Sequence, residues 1–286
     1  MSFATALMEH DFLRVVALAA LIAAISGGVV GTIVVTRRLT FLAGGIAHAS
    51  LGGMGVFQWA GHDPIAGATV AAVIAALLIG VVAHRGSERE DMLIGAIWAV
   101  GMAIGLIAIA HTPGYQADLM TYLLGNLLMV TFEEALLMAT IMGVVMILVA
   151  LFWQPIVATL FDEEFATTRG LPTLAIELAV LVSIALVVVV LLRAVGLVLV
   201  MALLTLPTAT AGVFVRTLGR LMLASATVAL LAMWAGLEIA MQTDSPAGAS
   251  IVLSAAACYI LALSYRRLRP GQSGSQDQPD QKRAPP

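Results

Sequence analysis

One histidine, His48, lies inside an apolar stretch, in LAGGIAHASLGGMG. Burying an ionisable side chain at membrane depth costs free energy, so such a residue marks a functional position or a specific packing contact. Gly44 and Gly52 stand four residues before and after it and share its helical face. Small residues on that face let a second helix approach closely, which turns His48 toward a bundle interior or a pore and away from lipid. A neutral imidazole so placed is either a transient ligand for a borderline divalent cation such as zinc or a packed side chain donating a hydrogen bond to the next helix. Pro207, in LLTLPTATAG, removes a backbone donor, with Thr205, Thr208 and Thr210 near enough to satisfy freed carbonyls. Such a break either lines a translocation path or is an ordinary kink. No nucleophile and base stand together, and the single cysteine, Cys258, excludes a disulfide framework or a Cys-x-x-Cys site.

The elements that position these residues are spanning helices. Of 286 residues, 61% are hydrophobic and 11% charged, and the mean hydropathy is +1.03; soluble domains carry about 25% charged residues. Apolar stretches run at 12–35, 39–60, 64–83, 91–110, 132–153, 173–192, 195–214, 218–241 and 247–265. The expected fold is therefore an all-α polytopic membrane bundle of about nine spans, within a range of eight to ten. The first stretch is too long for a cleavable signal peptide and follows Glu9 and Asp11 rather than a basic cluster. Segment 114–130 is apolar but broken by Asp118, Gly125 and Asn126, which suggests a short or re-entrant helix. Gly27 and Gly31 share a spacing suited to helix contact. Residues 1–269 form one transmembrane domain, and 270–286, rich in Gln, Pro and Gly, read as a disordered tail.

Twelve of the 14 basic residues fall on alternate connections, the exceptions being Arg14 and Arg193. Because Arg and Lys accumulate in cytoplasmic loops, this places the N-terminus outside and the C-terminus in the cytoplasm. His62, Asp63, His111 and Asp118 then face outward, where they collect cations or serve as surface polarity. Glu177 and Glu238, near span ends, read as solvated interfacial carboxylates. The only lysine, Lys282, lies in the tail, so no phosphate-binding loop of the Walker type exists here.

The most distinctive connection is LFDEEFATTRGLP, residues 160–172, between spans five and six. Asp162 is placed to cap a helix opening with Glu163 and Glu164, and Gly170 followed by Pro172 stops it. A stopped helix of about two turns with Phe161, Phe165 and Leu171 among charges, Arg169 included, is suited to docking on another protein; the alternative is an ordinary interfacial loop.

Taken together, RRLTFLAGGIAHASLGG, TYLLGNLLMVT, FDEEFATTRGLP, VGLVLVMALLTLPTATA and DSPAGASIVL resemble, in order, the metal-type permeases of ATP-binding-cassette importers, over about residues 12–266. The resemblance implies a bacterial inner-membrane permease for divalent zinc, manganese or iron, not an enzyme itself. Two copies of it would form the pathway, two separate ATP-binding subunits holding ATP and magnesium would dock on a coupling helix at 161–171, and an external protein would deliver the metal. It implies no cofactor on this chain and no nucleic-acid partner. His48 matches the family histidine on the ion path, with Asp118 as a second ligand and Pro207 a helix break in the pathway. Coupling would run through Phe161, Asp162, Glu163, Glu164, Arg169 and Gly170. The family often has aspartate one turn before the histidine, where this chain has Gly44; losing a hard oxygen ligand favours zinc over manganese. The alternatives are a permease for a metal chelate, which needs a wider cavity, and an ATPase-independent secondary transporter, which needs intramembrane carboxylates.

Overall fold

A backbone in lipid must satisfy its own N–H and C=O groups, and the long apolar runs do so as helices. The computed structural model describes Leu7 and residues 9–84, 90–112, 125 and 127–268. Asp118, most of segment 114–130, and the 270–286 tail lie outside the described residues. In chain order the helices are α1 (Asp11–Thr36), α2 (Thr40–Trp59), α3 (Pro64–His84), α4 (Glu90–Ala110), α5 (Phe132–Leu151), α6 (Trp153–Phe161), α7 (Glu163–Thr168), α8 (Thr173–Val195), α9 (Leu197–Gly212), α10 (Leu218–Thr243) and α11 (Ala247–Leu268), with a 3₁₀ turn at Leu127–Met129 before α5. No strand occurs among the described residues.

Eight of these helices are long and apolar enough to cross a membrane. The ninth expected span is α9, which has 16 residues and so reaches about 24 Å, short of a hydrocarbon core of about 30 Å. It follows α8 through a single residue, Gly196, with φ +80° and ψ 163°, a conformation essentially confined to glycine. Gly125, at φ +63°, packs directly on this turn against the backbone of Val195 and Gly196. Two pieces of sequence that are far apart, TYLLGNLLMVT and VGLVLVMALL, are thus joined at one point.

Helix position in the bundle follows packing rather than hydropathy. In α1 and α2, 78% and 72% of the span is buried, against 22% in α4 and 28% in α5. α1 runs through the middle, contacting α5, α8, α9 and α10, while α2 packs chiefly on α3 and α4. Glycines set these approaches. A Cβ on Gly31 would lie 2.5 Å from the Leu204 carbonyl oxygen of α9, and one on Gly52 would lie 2.5 Å from the Gly101 carbonyl oxygen of α4. The outward faces carry Ile74, Leu78, Ile104, Leu136, Ile147, Leu231 and Leu253, all exposed, as a lipid-facing surface requires.

Both ends of the bundle are fastened by ion pairs. At one end the α5 N-terminus has a reciprocal cap: Glu134 N donates to Thr131 Oγ1 (3.3 Å) and Thr131 N to Glu134 Oε2 (2.9 Å). Arg193 Nε, near the end of α8, donates to the other oxygen of the same carboxylate at 2.6 Å. That pairing accounts for an arginine at the end of the bundle opposite most of the basic residues.

Candidate functional site

Two places in the bundle concentrate the residues that the sequence singles out. The first surrounds His48, which is 8% exposed. Its ring stacks on the indole of Trp98 from α4, with centroids 4.3 Å apart and planes 14° from parallel. Its Nδ1 is buried and has no hydrogen-bond partner. Gly44, one turn earlier, faces Met201 of α9: a Cβ there would meet Met201 Cε at 3.2 Å and Trp98 at 3.5 Å. The glycine thus lets a thioether and an indole pack closely against α2 one turn before the imidazole. Trp98 and Met201 escape sequence reasoning; the one signal for Trp98 is its position well inside a span, when tryptophan favours the interfaces.

Pro207 lies inside α9, in the same helix as Met201. The threonines near it do not serve the carbonyl it frees. Thr205 donates to Met201 O (2.8 Å) and Thr210 to Leu206 O (2.7 Å), while Thr208 Oγ1 is buried without a partner. The i−4 carbonyl of the proline, Leu203 O, instead faces Gly27 of α1, where a Cβ would lie 2.9 Å from it. The turn of α9 before Pro207 is therefore seated on the Gly27 and Gly31 face of α1.

The second place is the end of the bundle holding α6 and α7. Within the 161–171 segment the helix opens and stops where the sequence reading puts it: Phe161 closes α6, Asp162 is extended, and α7 covers Glu163–Thr168, six residues. The break arises because Asp162 turns its carboxylate back to accept from Phe165 N at 2.8 Å, as an N-cap does. The stop is a Schellman closure: Leu171 N bonds Ala166 O (3.1 Å), Gly170 N bonds Thr167 O (2.9 Å), and Gly170 has φ +79°. Ala166 is fully buried and anchors the helix, whereas Phe161 and Phe165 are 68% and 50% exposed. Arg169 sits over the Phe165 ring, 5.1 Å from its centroid. Glu164 and Arg169 are exposed. α6 is not legible as a separate helix in the sequence, because the apolar stretch ends at residue 153 and Phe152 supplies no side-chain cap to mark a new start.

Glu177 is not the solvated carboxylate expected from its position. Its side chain is 14% exposed and bonds Arg37 Nη1 at 3.1 Å. Arg37 Nη2 in turn donates to the Thr159 carbonyl at 2.7 Å, so one guanidinium joins α1, α6 and α8. His84 Nδ1, at the end of α3, lies 3.2 Å from Glu163 Oε1 and 3.6 Å from Glu177 Oε2. Of the coupling residues named from sequence, Glu163 is the one tied into this network. Two larger cavities, of about 290 Å³ between α1, α5, α6 and α8 and about 540 Å³ between α2, α3 and α4, are lined without a titratable side chain.

The profile of the ABC 3 transport family matches residues 9–266. An uncharacterised membrane protein of Synechocystis is 36% identical over 91% of this chain and 92% of its own length. The manganese transport system membrane protein MntC of Halalkalibacterium halodurans is 30% identical over 91% of this chain and 89% of its own. Among solved structures, PsaBC from Streptococcus pneumoniae in complex with Fab superposes with a TM-score of 0.82 at 28% identity, covering 91% of this chain and 94% of that one.

Proposed function

Because the chain belongs to the ABC 3 transport family, and is a membrane permease rather than an enzyme, we propose that it carries a divalent transition-metal ion inward, driven by separate ATP-binding subunits. The observation that carries this reading is α7: a capped and stopped helix at one end of the bundle, held from within by Ala166, with Phe161 and Phe165 presented outward. A short rigid lever of this kind suits docking of an ATPase whose closure is transmitted to the spans as alternating access. An external metal-binding protein would deliver the ion, and two copies of this chain would enclose the path. The described arginines gather at the α7 end, including Arg37, Arg169, Arg216 and Arg266, which supports a cytoplasmic assignment for that end in a bacterial inner membrane.

The ion would pass His48, whose unpartnered Nδ1 has a lone pair to offer in the neutral form. The relatives named for manganese argue for that metal. Gly44 and Met201 argue for a softer preference, because manganese favours oxygen ligands, and zinc is therefore placed first. Asp118, proposed as a second ligand, lies outside the described residues.

The test is metal content, by mass spectrometry, of cells lacking this chain and grown in metal-poor medium. Complementation with the wild type is expected to restore zinc. His48→Ala and Phe161→Asp/Phe165→Asp are each expected to reduce recovery by about tenfold at unchanged membrane levels. Full recovery with His48→Ala removes the histidine from the path, and no metal change in any strain overturns the importer assignment.

A further inference from the structure

Among the described residues, one group of three metal-ligating side chains converges, and it is not at His48: His84, Glu163 and Glu177, whose ligand atoms all lie within 4.8 Å of one another. The three come from the ends of α3, α7 and α8. Arg37 occupies Glu177 Oε1, and Glu177 Oε2 is left buried without a hydrogen-bond partner. A protonated His84 does not resolve this arrangement. Its Nδ1–H can point at Glu163 Oε1, 3.2 Å away, but the second oxygen, at 3.6 Å, is beyond hydrogen-bond range. A cation in place of that proton serves all three atoms at once. Zinc–nitrogen and zinc–oxygen bonds of about 2.0–2.2 Å put neighbouring tetrahedral ligands about 3.3–3.5 Å apart, and the two separations from His84 Nδ1 bracket that value. With His84 neutral, as a metal ligand must be, two carboxylates against one guanidinium also leave negative charge for a cation to neutralise. Water reaches the fourth position, since His84 and Glu163 are 32% and 45% exposed.

We propose that His84, Glu163 and Glu177 form a second divalent-metal site, separate from the path past His48 and loaded from the α7 end of the bundle. An ion held there ties α7 to α3 and α8. On the reading that α7 docks the ATPase, on which this consequence rests, cargo that has accumulated in the cytoplasm stiffens the lever that drives further import.

The test needs neither ATPase nor transport. The purified full chain in detergent is titrated with zinc against a chromogenic chelator, and with cobalt to read the visible bands of a four-coordinate ion. His84→Ala and Glu163→Gln are expected to weaken one zinc site by about tenfold or more, while His48→Ala keeps it. Zinc is also expected to slow amide exchange across residues 163–170 in the wild type and not in Glu163→Gln. Equal zinc binding by wild type, His84→Ala and Glu163→Gln overturns the site, as does loss of the site with His48→Ala alone. Binding without any slowing of exchange overturns the restraint on α7. Glu163→Gln, on an exposed side chain, keeps the test usable where Glu177 variants fail to fold for want of their bond to Arg37. Failure here leaves the uptake experiment untouched, so the two readings fall separately.

Discussion

At the scale of single residues, the surroundings of His48 decide more than the histidine does. A buried imidazole stacked on Trp98 is held in one orientation, and its Nδ1 is buried without a hydrogen-bond partner. Gly44 sets what stands beside it. Because the nearest obstacle to a side chain at position 44 is the flexible end of Met201, Gly44→Asp is expected to be accommodated by a rotation of the thioether. The carboxylate then supplies the hard oxygen now missing and shifts uptake from zinc toward manganese by about tenfold, or about 1.4 kcal/mol. Competition uptake of the two ions in complemented cells measures this ratio. An unchanged ratio, with normal membrane levels, removes position 44 from the selectivity site.

At the scale of elements, glycine contacts and helix caps carry the architecture. Gly31 of α1 lies against the α9 backbone at Leu204, whereas a methyl group added at Gly143 of α5 would meet nothing within 4 Å. Gly31→Ala is therefore expected to destabilise the bundle by about 1–3 kcal/mol through overpacking. Gly143→Ala should be neutral or stabilising by up to about 1 kcal/mol, the helix propensity gained. Thermal unfolding of the two variants in the same detergent compares them directly. The cap of α7 gives a second prediction. Asp162→Ala removes the acceptor for Phe165 N, costs about 0.5–2 kcal/mol locally, and loosens the element proposed to dock the ATPase. Metal uptake should fall while global unfolding is little changed, because α7 contributes one buried residue, Ala166, to the packing.

At the scale of the whole molecule, the two ends of the bundle differ in chemistry. The α7 end gathers Arg37, His84, Glu163 and Glu177, and the opposite end is fastened by Arg193 and Glu134. With Cys258 replaced by Ala, cysteines introduced at Gly61 and at Gly170 are expected to react with a membrane-impermeant thiol reagent from opposite sides: Gly61→Cys in intact cells, Gly170→Cys after permeabilisation. The reverse pattern would invert the orientation and place α7 out of reach of a cytoplasmic ATPase. Both positions have a positive φ and open space around them, so the cost at each is backbone strain of about 1–3 kcal/mol and not a clash.

By itself the sequence determined the all-helical membrane class, the positions of the long helices, the cap and stop of α7, and the interior placement of His48. Each of these follows from local chemistry: apolar length, charge alternation, an Asp before two Glu, a Gly before a Pro. Only the tertiary structure decided which distant groups meet. Arg37 and Glu177 are 140 residues apart in sequence, and no periodicity relates them, nor His84 to Glu163, nor Gly44 to Met201. The α6 break and the shortness of α9 were hidden for a related reason. An apolar run records that a segment avoids water, but the backbone turns at Gly196 and Phe152 are what end a helix inside it. Side chains that are ambiguous along the chain acquire a partner when close helix approach, set by glycine against backbone, brings one to them.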